Sequence, residues 1–150
     1  MKFKTLHGGE KRVSKLRNYL IDWEKKSKSK VQFKTKQTLH SHWKNNVVFE
    51  EFPVVGTRLS IDFYNATKKI AIEVQGAQHR KYVPFFHNKN KSNYIDQLRR
   101  DKQKQDFCIK NEIKYIEKNG KNTEEVAKTI LYHSSFGTIL MYIRIPCFWR

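Results

Sequence analysis

Ser60-Ile61-Asp62-Phe63-Tyr64, followed after Asn65-Ala66-Thr67-Lys68-Lys69 by Ile70-Ala71-Ile72-Glu73-Val74-Gln75-Gly76, is the stretch whose reading decides the fold. Leu59, Ile61 and Phe63 alternate with Ser60, Asp62 and Tyr64; Ile70, Ile72 and Val74 alternate with Ala71, Glu73 and Gln75. A period of two marks a β-strand, because successive side chains leave opposite faces of the pleat. The residues between the two runs suit a short turn, so the strands are expected side by side and antiparallel. Asp62, Glu73 and Gln75 then share one sheet face. Two half-buried carboxylates repel each other and lose hydration, and a divalent cation is the usual partner that makes such a pair tolerable.

Toward the N-terminus, Val47 to Val54 reads as a preceding strand, with Pro53 marking an edge or a strand end because proline gives no N–H to a ladder. Before it, Val31, Thr35, Leu39 and Trp43 predict a helix over about Ser29 to Lys44, ended by Asn45-Asn46. After a Gly8-Gly9 break, Val13, Leu16, Leu20 and Trp23 predict another helix from Lys11 to Lys26, joined to the next by Lys25-Lys26-Ser27-Lys28-Ser29-Lys30.

Toward the C-terminus, Gly76 to Asn93 lacks periodicity and reads as a loop leaving the Glu73 strand. Within it, Arg80 and Lys81 suit DNA contact, while Val83, Phe85 and Phe86 suit the core. A helix over about Asn93 to Asn111 is read from Tyr94, Leu98, Asp101, Gln105 and Cys108. Asp101 either pairs with Arg99 or Arg100 or approaches the carboxylate pair. Ile113 to Ile116 is a short strand, expected to return parallel to the Glu73 strand. The fold class is therefore α/β, a mixed sheet flanked by helices in the order αβββαβ. Residues 1–28 read as a basic helical extension, 29–118 as the core and 119–150 as a C-terminal extension. In that extension Thr123-Glu124-Glu125 starts a helix. Ile139, Met141 and Ile143 there mark a strand whose edge could join a second copy as a homo-oligomer.

The chain has 150 residues, 38% of them hydrophobic, which is one domain's worth. Its 31 Lys and Arg against 14 Asp and Glu give a net charge of +17, and a polyanion is the expected partner. Residues 1–46 alone carry 13 Lys and Arg against Glu10, Asp22 and Glu24. A membrane is not expected as partner, since no run approaches the ~18 apolar residues of a spanning helix. Cys108 and Cys147 make no metal spacing and read as reduced thiols of a cytoplasmic protein. His40 and His42, two residues apart, lie on different helix faces and do not form a shared zinc site.

Phe49 to Phe63, which contains Glu50-Glu51-Phe52-Pro53 and ends in Ser60-Ile61-Asp62-Phe63, followed by Ala71-Ile72-Glu73-Val74-Gln75-Gly76-Ala77-Gln78-His79, resembles the PD-(D/E)XK nuclease superfamily. Within it the wording is similar to phage freestanding homing endonucleases and nucleases of the very-short-patch-repair kind. The similarity runs from about residue 27 to about 118. It implies a restriction-endonuclease-like core and site-specific hydrolysis of phosphodiesters in double-stranded DNA with Mg²⁺, Mn²⁺ substituting. If the chain is phage-encoded, the compartment is the bacterial host's cytoplasm. Under this resemblance Asp62, Glu73 and the Val74 carbonyl are metal ligands, and Gln75 positions the attacking water. His79 is either a general base, a phosphate contact or a structural cap. A further carboxylate comes from Glu51 or Glu50, of which strand alternation lets only one point in. Arg58, Arg80, Lys81, Lys28, Lys30 and Lys34 are the expected DNA contacts.

Two departures from the family pattern matter. Residues 27 to 49 hold no Asp or Glu, and Gln32 is the nearest stand-in for the usual helix acid. Gln75 stands where members carry Lys, and an amide orients water without supplying charge or acting as a base near neutral pH. A structure-selective nuclease, such as a Holliday-junction resolvase or a mismatch nickase, and a catalytically silent nucleic-acid-binding module remain the alternatives.

Overall fold

The computed structural model describes residues 1–75 and 91–119. Among these, β1 (Lys2–Lys4) and β2 (Glu10–Arg12) form a small hairpin, followed by one 3₁₀ turn at Leu16–Tyr19. Then come α1 (Lys30–Trp43), β3 (Val48–Pro53), β4 (Ser60–Asn65), β5 (Ile70–Gln75), α2 (Lys91–Lys110) and β6 (Lys114–Asn119). The order αβββαβ is the expected one. The main sheet runs β3-β4-β5-β6, antiparallel except for the parallel β5–β6 pair, as the helix between those two strands requires.

Each element has a local cause. The β4–β5 turn is closed by Asn65, whose buried Oδ1 accepts from the Lys68 N–H at 3.0 Å. At the other end of that turn Lys69 takes the left-handed conformation, φ 53°. Ser29 caps α1 by accepting from the Gln32 N–H at 3.0 Å. Pro53 closes β3, which is an edge of the sheet, as proline demands.

The sheet buries both faces. Leu39 and Trp43 of α1 pack on Val48, Phe63, Ile70 and Ile72. On the opposite face Phe107 and Cys108 of α2 join Phe52, Ile61, Tyr64 and Ala71. Phe3 of β1 enters this second layer, with ring centroids 5.4 Å from Phe52 and 5.8 Å from Phe107.

The helix expected over Lys11 to Lys26 does not form. Its apolar residues go to different faces: Val13, Leu16 and Tyr19 join the α2 layer, Ile21 and Trp23 join the α1 layer, and Leu20 stays half exposed. One helical stripe cannot reach both sides of a sheet. Instead the segment passes along the β3 edge, where Leu20 bridges Phe49 and the Ile21 N–H donates to the Val48 carbonyl at 3.0 Å. That covers part of an otherwise open edge.

Lys36 fixes this path. Fully buried on α1, its ammonium donates to the Asp22 and Lys25 carbonyls at 2.8 and 2.6 Å and to Glu50 at 2.7 Å, so all three protons are used. Val31, read as part of the inward stripe of α1, is exposed, and Gln32 takes that place. No helix among the described residues is long and apolar enough to cross a membrane.

Candidate active site

The β4–β5 ladder pairs Asn65 with Ile70, Tyr64 with Ala71 and Phe63 with Ile72, and then stops. At the next step Asp62 and Glu73 face one another, and side chains take over from the ladder. The Asp62 carboxylate accepts from the Val74 N–H at 2.8 Å, and the Asp62 N–H reaches the Glu73 carboxylate at 3.4 Å. Two acids thus occupy the fork where two strands part. Glu73 is 4% exposed. Burial, and then the Asp62 charge, push its carboxyl up to about 7, while burial pushes Asp62 up to about 6.

Lys104 of α2 meets this pair directly, its Nζ hydrogen-bonded to Glu73 Oε1 with little of the side chain exposed. It lowers both carboxyls without outweighing their burial. Beside it lies a cleft of about 400 Å³ lined by Arg58, Leu59, Ser60, Gln97, Arg100, Asp101 and Lys104. Lys104, which lines the cleft and bonds Glu73, links it to the acid pair, and Arg58 and Arg100 add two more cations to its lining.

Lys104 and Gln97 were not legible as site residues. Of the stripe read for α2, Tyr94, Asp101 and Cys108 lie inward, but Leu98 and Gln105 are exposed. The inward side holds Tyr94, Gln97, Asp101, Lys104 and Cys108, and only Cys108 is fully buried. The spacings of three and four were present in the sequence. An apolar Leu98 beside a polar Gln97 hid the phase, because this part of the helix faces a polar cleft rather than core. Asp101 lines that cleft. Tyr115 of β6 is pushed far above the ordinary phenol range, by burial first and then by the charges of Glu73, Glu117 and Asp101. Cys108, free and buried, is pushed up to about 12 by burial and then by Glu73, so it stays an unreactive thiol.

Strand alternation fails at Glu51. Its φ of 54° turns the backbone left-handed, so Glu50 and Glu51 both face α1, where Gln32 donates to Glu51 at 3.0 Å and to Glu50 at 3.4 Å. The alternation on which the choice between them rested therefore does not hold here, and of the two it is Glu51 whose charge reaches Asp62. Glu50 is taken up by Lys36, whereas Glu51 is held by Lys28 and by Ser60 at 2.7 Å. Burial would raise the Glu51 carboxyl, but bonds from Lys28, Gln32 and Ser60 outweigh it and hold it below the usual carboxylate range. Its charge is felt at Asp62.

Gln75 is buried at the end of β5, opposite Asn119 of β6. Arg58 is exposed at the cleft, and Lys28, Lys30 and Lys34 are exposed on or just before α1. His79, Arg80 and Lys81, with Val83, Phe85 and Phe86, lie outside the described residues, as do Cys147 and the expected C-terminal helix and strand. Among the described residues no group of three or more His, Cys, Asp and Glu is gathered as in a preformed metal centre. The Asp62–Glu73 pair nevertheless suits a hard divalent cation. Both carboxyls are raised by burial, and Glu73 also by its neighbour, an excess of negative charge that Lys104 only partly offsets.

No protein-family model matches this chain, and no solved structure matches it. It is 42% identical over 59 residues to "Uncharacterized protein 307L" of Invertebrate iridescent virus 6, covering 39% of this chain and 29% of that protein. It is also 42% identical over 65 residues to "Uncharacterized protein 094L" of Frog virus 3, covering 43% and 42%. A third relative, "Uncharacterized protein 033L" of Invertebrate iridescent virus 3, is 37% identical over 65 residues, covering 43% and 33%. The chain spans less than half the length of each.

Proposed function

We propose that this chain is a metal-dependent endonuclease of the PD-(D/E)XK kind that hydrolyses phosphodiesters of double-stranded DNA. The observation that carries the proposal is the pair of half-buried Asp62 and buried Glu73 at the fork of β4 and β5, beside a cleft lined by Arg58, Arg100 and Lys104. Asp62, Glu73 and the Val74 carbonyl would hold Mg²⁺ or Mn²⁺. When bound, the ion polarises a phosphoryl oxygen and makes its water more acidic. The protein's own groups do the rest: the three cations draw a phosphate into the cleft, and Gln75 orients water by hydrogen bonding. His79 is proposed to assist at the phosphate.

Incubation of the protein and its Asp62→Asn variant with genomic duplex DNA and a synthetic four-way junction, in Mg²⁺ and in chelator, tests this reading. Discrete Mg²⁺-dependent duplex cuts, reduced at least ~10³-fold in the variant, are expected. Junction-only cuts would make it a structure-selective nuclease. Binding without any cut would favour a silent nucleic-acid-binding module. One feature supports that second reading: Lys104 already supplies Glu73 with a counterion.

A further inference from the structure

The Lys104–Glu73 contact joins a helix to the deepest carboxylate of the site, and the same lysine lines the open cleft. A side chain with a place at both is suited to exchange between them. The stem of a lysine carries four rotatable bonds and a compact charge, so its ammonium can leave Glu73 and stay within the cleft. Nothing else among the described residues does this: Lys28 is taken by Glu51 and Lys36 by Glu50, while Lys102 pairs with Asp106. Gln75, where the resembling family has its charge, has none to give.

We propose that Lys104 is an exchangeable counterion, holding Glu73 while no metal is bound and yielding it to a divalent cation, then turning its ammonium to an oxygen of the phosphodiester in the cleft. The proposal rests on the nuclease reading for its second half only; the exchange at Glu73 stands on the contact itself. Two consequences have opposite signs. A cation competing with a metal for one carboxylate weakens metal binding, so its removal tightens that binding. A cation that also meets the developing charge on phosphate favours turnover, so its removal slows it. A purely structural lysine would weaken both.

The test is calorimetric titration of Mn²⁺ alone into the wild-type chain and its Lys104→Met and Lys104→Arg variants, at about pH 8.5 so that protons do not take the metal's place. Duplex cleavage is measured alongside. Lys104→Met is expected to bind Mn²⁺ about tenfold more tightly and to cut about 100-fold more slowly. Lys104→Arg, which keeps the charge, is expected to bind Mn²⁺ within about twofold of wild type and guards against misfolding as the cause. Unchanged or weaker Mn²⁺ binding in Lys104→Met, with Lys104→Arg folded, overturns the exchange even if wild type cuts DNA. Tighter binding with no cutting by any form would uphold the exchange at Glu73, overturn the phosphate contact and reject the nuclease reading.

Discussion

Burial holds Asp62 and Glu73 away from their ordinary ionisation. Their ordinary values of 3.8 and 4.5 are raised to about 6 and about 7, so the folded chain binds more protons than the unfolded one between those limits. Their contribution to stability is therefore greatest at the acid end of that window and is lost as pH rises through it. Without metal, the melting temperature from these two groups is expected to fall between about pH 4 and about pH 7, and the Asp62→Asn variant to show a shallower slope. At about pH 8 that variant should melt roughly 4 °C higher, equivalent to about 1 kcal/mol. A variant that melts lower than wild type there would mean the two acids do not repel. Glu51 behaves in the opposite sense, because bonds from Lys28, Gln32 and Ser60 favour its ionised form. The two kinds of carboxylate, one tied down and one strained, lie within electrostatic reach of each other.

At the scale of elements, the four strands of the main sheet and the two long helices could be read from the chain because their causes are local, whereas the β1–β2 hairpin was not legible. Alternation gave β4 and β5, Ser29 starts α1, and Pro53 marks an edge. The phase of α2 was legible in part: Tyr94, Asp101 and Cys108 do lie inward while Leu98 and Gln105 do not, since the inward side is polar where it meets the cleft and apolar only near Phe107 and Cys108. Leu98→Lys should accordingly change stability by less than about 0.5 kcal/mol in urea denaturation, whereas Phe107→Ala should cost about 3–5 kcal/mol. Equal costs would show that Leu98 is inside after all. The N-terminal segment, by contrast, is tied to α1 by a buried cation in addition to its bridge to β3 and its apolar contacts. Replacing Lys36 with Met leaves Glu50 without its ion pair and frees the Asp22 and Lys25 carbonyls, an expected loss of about 3–5 kcal/mol by the same measurement. A loss under about 1 kcal/mol would mean the segment is fixed by its apolar contacts alone.

Over the whole molecule the charge of +17 is what makes a polyanion the proposed partner, and the cleft lined by Arg58, Arg100 and Lys104 is its proposed place. If duplex DNA is the partner, Arg58→Ala with Arg100→Ala should weaken binding and reduce the slope of log affinity against log salt by about two, one for each lost phosphate contact. An unchanged slope would move the phosphates elsewhere on the surface. The sequence by itself determined the αβββαβ order, the pairing of Asp62 with Glu73 and the strongly positive charge of the chain, because period, turn chemistry and net charge are properties of neighbouring residues or of a sum. Only the tertiary structure decided that Lys104 meets Glu73, that Glu50 and Glu51 face the same side, and that residues 11–26 run along a sheet edge. Each of these depends on contacts between segments distant along the chain, or on one backbone angle that such contacts hold in place, and no local preference encodes them.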